Sequence, residues 1–128
     1  MNREDVLTEF LTSWERRLAA HRAQLRAEAK RLAAGFARAG AQRVLLFGST
    51  ACGRAGFASD LDLVVVAPVD PEIPVPHRMR DVLTALNPRS PVDLLVYTPS
   101  EWERLQDERR FVREELAEKG VVLYERAG

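Results

Sequence analysis

Two short apolar runs, Val44 to Phe47 and Leu61 to Val66, bracket a small polar segment that holds Gly48, Ser49, Gly53, Gly56 and Ser59. Each run is too short for a helix and rich in strand-favouring residues, while the glycines and Ser59 punctuate between them. The stretch therefore reads as strand, loop, strand. Asp60 and Asp62 open the second run two residues apart. Side chains alternate along a strand, so both carboxylates should point to one side with Cα atoms roughly 6.5 to 7 Å apart. Two carboxylates on one face repel each other unless a cation lies between them. Hard oxygen ligands suit Mg2+ or Mn2+, and Mg2+ usually takes one or two carboxylates together with waters and substrate phosphates. Gly48 has no Cβ to hold a phosphate away, Ser49 offers a hydroxyl and an N–H, and a short helix starting near Thr50 would aim its N-terminus at an anion. A site for a metal-bound triphosphate is the expectation.

A third run, Pro91 to Tyr97, carries Asp93 among Val92, Leu94, Leu95 and Val96. A lone carboxylate there costs free energy unless it faces water, a partner or a metal. An Asp-x-Asp alone is often a solvated strand edge, and Gly-Ser after a strand is often an ordinary turn. The three signals in this order carry more weight than any one of them.

Gly48-Ser49 followed by Ser59-Asp60-Leu61-Asp62-Leu63 resembles the signature of the DNA polymerase β-like nucleotidyltransferases. The small size is similar to that of the minimal nucleotidyltransferases, often the antitoxin partners of HEPN proteins in toxin-antitoxin pairs. The likeness runs from about Ala41 to Tyr124. It implies an α/β (α+β) fold, a mixed sheet with helices mainly on one face. It also implies that Asp60, Asp62 and Asp93 are the catalytic and metal-binding carboxylates, and that Gly48, Ser49 and Ser59 belong to the nucleotide loop. Many members carry Arg-Gly where this chain has Cys52-Gly53, and Arg54 is the candidate to supply that arginine's anion contact. The implied reaction moves a nucleoside monophosphate, AMP from ATP, to an acceptor hydroxyl with Mg2+ or Mn2+, and a HEPN-like protein partner is the candidate to carry that hydroxyl. The alternative is a weak or inactive nucleotidyltransferase-like interaction module, and the Cys52 departure favours it.

With 128 residues, 46% hydrophobic and 30% charged, the chain is expected to form one domain that buries its own core, a helical segment over 1–39 and a catalytic core over 41–124. A single Cys excludes an internal disulfide and fits a reducing cytoplasm. Without a base nearby, Cys52 reads as a small packing residue. His21 and His77 stand far apart without companion ligands, which argues against zinc. No apolar run approaches the roughly 20 residues of a membrane span, and MNREDVLTEF lacks the form of a signal peptide. Nineteen basic residues balance nineteen acidic ones, so no global field favours long nucleic acid.

The first segment, Asn2 to about Ala39, places Leu7, Leu11, Trp14, Leu18, Leu25, Leu32 and Phe36 at helical spacing. Asn2 with Asp5 reads as a cap, and Thr12-Ser13-Trp14-Glu15 reads as a second capping box, so a break or bend is expected there. An unbroken helix would exceed the breadth of a domain this size, so the segment must project or fold back: Leu7, Phe10, Leu11 and Trp14 are the candidates to face another chain, a protein partner or a second copy, with packing back onto the core as the alternative. Four prolines between Ala67 and Pro76 exclude regular helix. A short helix from Arg78 to Leu86, ended by Asn87-Pro88, should precede the third strand. A last helix, capped by Ser100, should run to Lys119-Gly120 and lead into a final strand, Val121 to Tyr124.

Overall fold

The computed structural model describes residues 2–127. One α-helix, α1, runs unbroken from Arg3 to Arg38. Asn2 caps it, its side chain accepting from the Asp5 N–H at 2.9 Å. The expected break at Thr12-Ser13 is absent. The hydroxyls of Thr8 and Thr12 donate back to the carbonyls of Glu4 and Thr8, both at 2.9 Å, so these side chains serve the helix instead of capping a new one. At about 1.5 Å per residue α1 is about 54 Å long, and burial along it begins only at Leu18. Its first part therefore projects beyond the body of the domain.

Four strands follow: β1 (Arg43–Phe47), β2 (Leu61–Val66), β3 (Val92–Tyr97) and β4 (Val121–Glu125). They form one mixed sheet in the order β3-β2-β1-β4, with β2 parallel to β3 and both other pairs antiparallel. The alternation of β2 divides the core. Leu61, Leu63 and Val65 face α1 through Leu25, Ala29, Leu32 and Phe36, and Leu83 of α3 (Arg80–Leu86) joins this layer. Val64 and Val66 face the other way, with Leu45 and Trp102 of α4 (Pro99–Glu108). The helical mass thus lies mainly on one face, while α4 covers part of the other.

Two boundaries differ from expectation. Thr98, not Ser100, caps α4, because Pro99 takes the first helical position and Thr98 and Glu101 form a reciprocal capping box. The helix then stops at Arg109, which is extended at φ −126° and ψ 107°, and a π-helical segment over Val112–Glu118 replaces its expected continuation. The proline-rich connection holds one 3-10 turn, Val75–His77, and α3 starts at Arg80 instead of Arg78. No helix among the described residues is long and apolar enough to cross a membrane.

Candidate active site

The register of the sheet sets out the site. Phe47 at the end of β1 pairs with Asp62 of β2, and Asp62 pairs with Asp93 of β3. Neighbouring strands lie about 4.8 Å apart, so Asp62 and Asp93 are side-by-side neighbours on one face. By the alternation along β2, that face is the one α4 covers at its far end through Val64 and Val66. The apolar cover stops short of the acidic row. Phe47, Asp62, Asp93 and Leu95 line the resulting cleft of about 280 Å3, and Pro76 and Arg80 stand on its other side.

The neighbouring charge is felt at Asp62. Burial pushes the Asp62 carboxyl above the ordinary aspartate range, and the charge and hydrogen bonding of Asp93 push it further, with a smaller push from Asp60. Asp60 itself precedes β2 and is exposed, so the nearest acidic pair is Asp62 with Asp93 across the strands, not Asp60 with Asp62 along one. Among the described residues no three acidic, imidazole or thiol side chains converge as a closed ligand set. An open pair of carboxylates suits Mg2+, which keeps most of its other positions for water and substrate oxygens.

Gly48 opens α2, a single turn over Gly48–Ala51, at φ +75°. The positive φ favours glycine there, and an added Cβ would also fall on the Asp62 carboxylate. Ser49 Oγ lies 3.3 Å from Ser59 Oγ, which in turn accepts from the Gly56 N–H at 2.8 Å. Thr50 Oγ1 reaches the Asp60 carbonyl at 3.4 Å. These contacts fasten the loop before Asp60 to the turn after β1. Arg54 bonds through its backbone N–H to the Ser49 carbonyl at 2.9 Å, and its side chain is exposed beside this turn. Cys52 is exposed as well, so it is not the packing residue expected from sequence. The same loop touches α1, with Phe57 edge-on to Trp14 at 6.0 Å, Phe57 against His21 at 5.3 Å, and Arg22 Nε donating to the Ala55 carbonyl at 2.7 Å.

A larger cavity, about 470 Å3, lies on the α1 side, lined by His21, Gln24, Glu28, Arg31, Arg89 and Ser90 among others. Its carboxylate is already engaged. Glu28 accepts from Arg31 at 2.6 and 2.9 Å and from the Arg89 N–H at 2.5 Å, which pins the turn before β3 to the helix. The acidic row is therefore the better chemical candidate.

Sequence reasoning missed Arg78. This buried guanidinium uses its donors on the carbonyls of Ile73, Pro71 and Val96 and on both oxygens of Glu101. Nothing in the local pattern set it apart from the other arginines, because its burial depends on acceptors at Val96 and Glu101, 18 and 23 residues further along the chain.

The mixed sheet thus holds a Gly-Ser turn against a pair of carboxylates on neighbouring strands. The chain belongs to the nucleotidyltransferase domain family, which matches residues 25–125. Its fold is similar to that of a Sulfolobus solfataricus protein of known crystal structure, provisionally identified as a nucleotidyltransferase, with a TM-score of 0.60 and 23% identity over 84% of this chain and 86% of that one. No curated protein matches the chain.

Proposed function

We propose that the protein transfers a nucleoside monophosphate, AMP from ATP, to an acceptor hydroxyl and releases pyrophosphate. The lateral pairing of Asp62 with Asp93 beside Gly48 supports this reading most strongly. Asp60, Asp62 and Asp93 are the residues that would hold Mg2+ or Mn2+, which when bound neutralises developing charge and polarises the phosphate oxygens. Ser49 and the backbone beside Gly48 hold the phosphates, with Ser59 fixing the Ser49 hydroxyl and Arg54 within the same turn to reach an outer oxygen. That grip orients the α-phosphorus. The acceptor oxygen forms its bond to the α-phosphorus as the bond to pyrophosphate breaks. Asp93, on the side away from Gly48, takes the hydroxyl proton and passes it to water.

Calorimetry with ATP tests the reading. Binding should need a divalent ion and should be lost in the Asp60→Asn, Asp62→Asn double variant. Equal affinity with chelator, or in that variant, would falsify the metal-dependent site.

The acceptor belongs to a protein partner of the HEPN type in this reading. The exposed apolar stripe on α1, where Leu7, Phe10, Leu11 and Trp14 are 57%, 56%, 48% and 42% exposed, favours a docking surface. The same stripe, with the exposed Cys52, also fits an interaction module that has lost activity. ATP binding separates the two, since the module would bind it weakly or not at all.

A further inference from the structure

The cleft over Asp62 and Asp93 has a second wall whose chemistry the nucleotide loop does not explain. Gly48 and Ser49 stand on the β1 side. On the other side β3 is the edge strand of the sheet, and beyond it Pro76 and Arg80 close the cleft. Among the described residues that line it, Arg80 is the only basic one.

Its position is built. Arg78 and Arg80 are two residues apart, yet the first is buried and the second exposed. Between them Met79 adopts the left-handed conformation at φ +54°, which a side chain such as methionine rarely takes. The five hydrogen bonds of Arg78 hold the connection on the β3 edge and sustain that turn. Arg80 Nε donates to the Pro76 carbonyl at 2.8 Å, which fixes the direction of the side chain. Among the described residues neither Nη of Arg80 makes a hydrogen bond or an ion pair, although two carboxylates line the same cleft. A guanidinium tethered at one nitrogen, with its outer edge free, presents the planar fork that binds phosphate oxygens in pairs.

We propose that Arg80 is a phosphate-binding residue of this cleft, gripping a phosphate on the Asp93 side opposite Gly48 and Ser49. The inference rests on the nucleotide-transfer reading above. The phosphate comes either from the triphosphate or from the acceptor.

The test compares the full chain with Arg80→Ala and Arg80→Gln, and uses Arg38→Ala, at the far end of α1, as control. Circular dichroism should show all of them folded, since Arg80 is exposed; the glutamine variant also retains a donor for Pro76. In one arm, calorimetry measures binding of ATP with Mg2+. In the other, inorganic phosphate is titrated into protein saturated with Mg2+ and a non-hydrolysable ATP analogue, followed by phosphorus NMR. Loss of one ion-assisted hydrogen-bonding group weakens binding about tenfold or more. A loss of this size in the first arm assigns Arg80 to the triphosphate, and in the second arm to the acceptor. Unchanged binding in both arms overturns the proposal and leaves Arg80 as a support for the Pro76 turn. A wild-type protein that takes no ATP with Mg2+ overturns the nucleotide site and this inference together.

Discussion

Arg78 ties together three segments that the sequence keeps apart: the proline-rich connection, the end of β3 and the start of α4. Its partner Glu101 is held at about pKa 2, first by the Arg78 hydrogen bonds and then by the Thr98 N–H and side chain, with burial opposing. A carboxyl held below its ordinary value of 4.5 stabilises the fold at every pH above that value. The contribution disappears as pH falls from about 4.5 towards 2. Glu28 is shifted the same way by Arg31, so both pairs weaken in acid. Urea midpoints should therefore be level above about pH 5 and fall below it. Glu101→Gln should cost up to about 3 kcal/mol at neutral pH and make the acid decline shallower; a decline as steep as wild type would exclude the pair as its source. The acidic row behaves oppositely. Asp62 and Asp93 bring like charges together, so Asp93→Asn should raise stability in the absence of divalent ions while abolishing transfer. Thermal melts in chelator check this, and a lower melting temperature would show that Asp93 supports the fold.

At the scale of elements, the strands and both ends of α1 were legible, and the ends of α4 were not. Val44–Phe47, Leu61–Val66 and the run around Asp93 announce themselves by composition, and all three are strands within a residue of the expected bounds. The acidic row follows from them only once register is known, because lateral neighbours on β2 and β3 come from segments about thirty residues apart in the chain. Helix ends depend on which nearby hydroxyl wins the cap. Thr98 wins over Ser100 because Pro99 follows it, and Thr12 caps nothing because its hydroxyl already serves Thr8. Gly120 illustrates the same limit. Its sequence position marks it as a stop, but its tighter constraint is steric, since an added Cβ would strike the Leu116 carbonyl oxygen and lie 3.4 Å from that of Leu46. Gly120→Ala should therefore cost about 1 to 3 kcal/mol by forcing β4 away from β1. Chemical denaturation measures it, and a cost under a few tenths would mean the π-helical segment gives way instead.

Across the whole molecule, the two parts of α1 stand in different surroundings. Every residue of α1 before Leu18 is exposed, whereas Leu25, Ala29, Leu32 and Phe36 are sealed against the sheet. Removal of residues 1–12 should thus leave the denaturation midpoint and ATP affinity nearly unchanged. Transfer to a co-purifying partner should fall sharply if that partner docks there. Undiminished transfer would place the docking surface elsewhere, and unfolding would show the segment to be integral.

The projection of α1 also has a kinetic consequence. A helical stretch of about a dozen residues without packing is marginal in water, because each turn must stand on local hydrogen bonds alone. Amide protons from about Val6 to Ser13 should therefore exchange with solvent through local fraying, orders of magnitude faster than those from Leu25 to Phe36, which open only with the core. Protection should rise where Trp14 meets Phe57 and Arg22 meets Ala55. The sequence hint of two helices meeting near Thr12 and Ser13 would then reappear in time: one rod in shape, with a labile end and a locked one, and a partner that seats on the labile end should slow its exchange before that of any other residue.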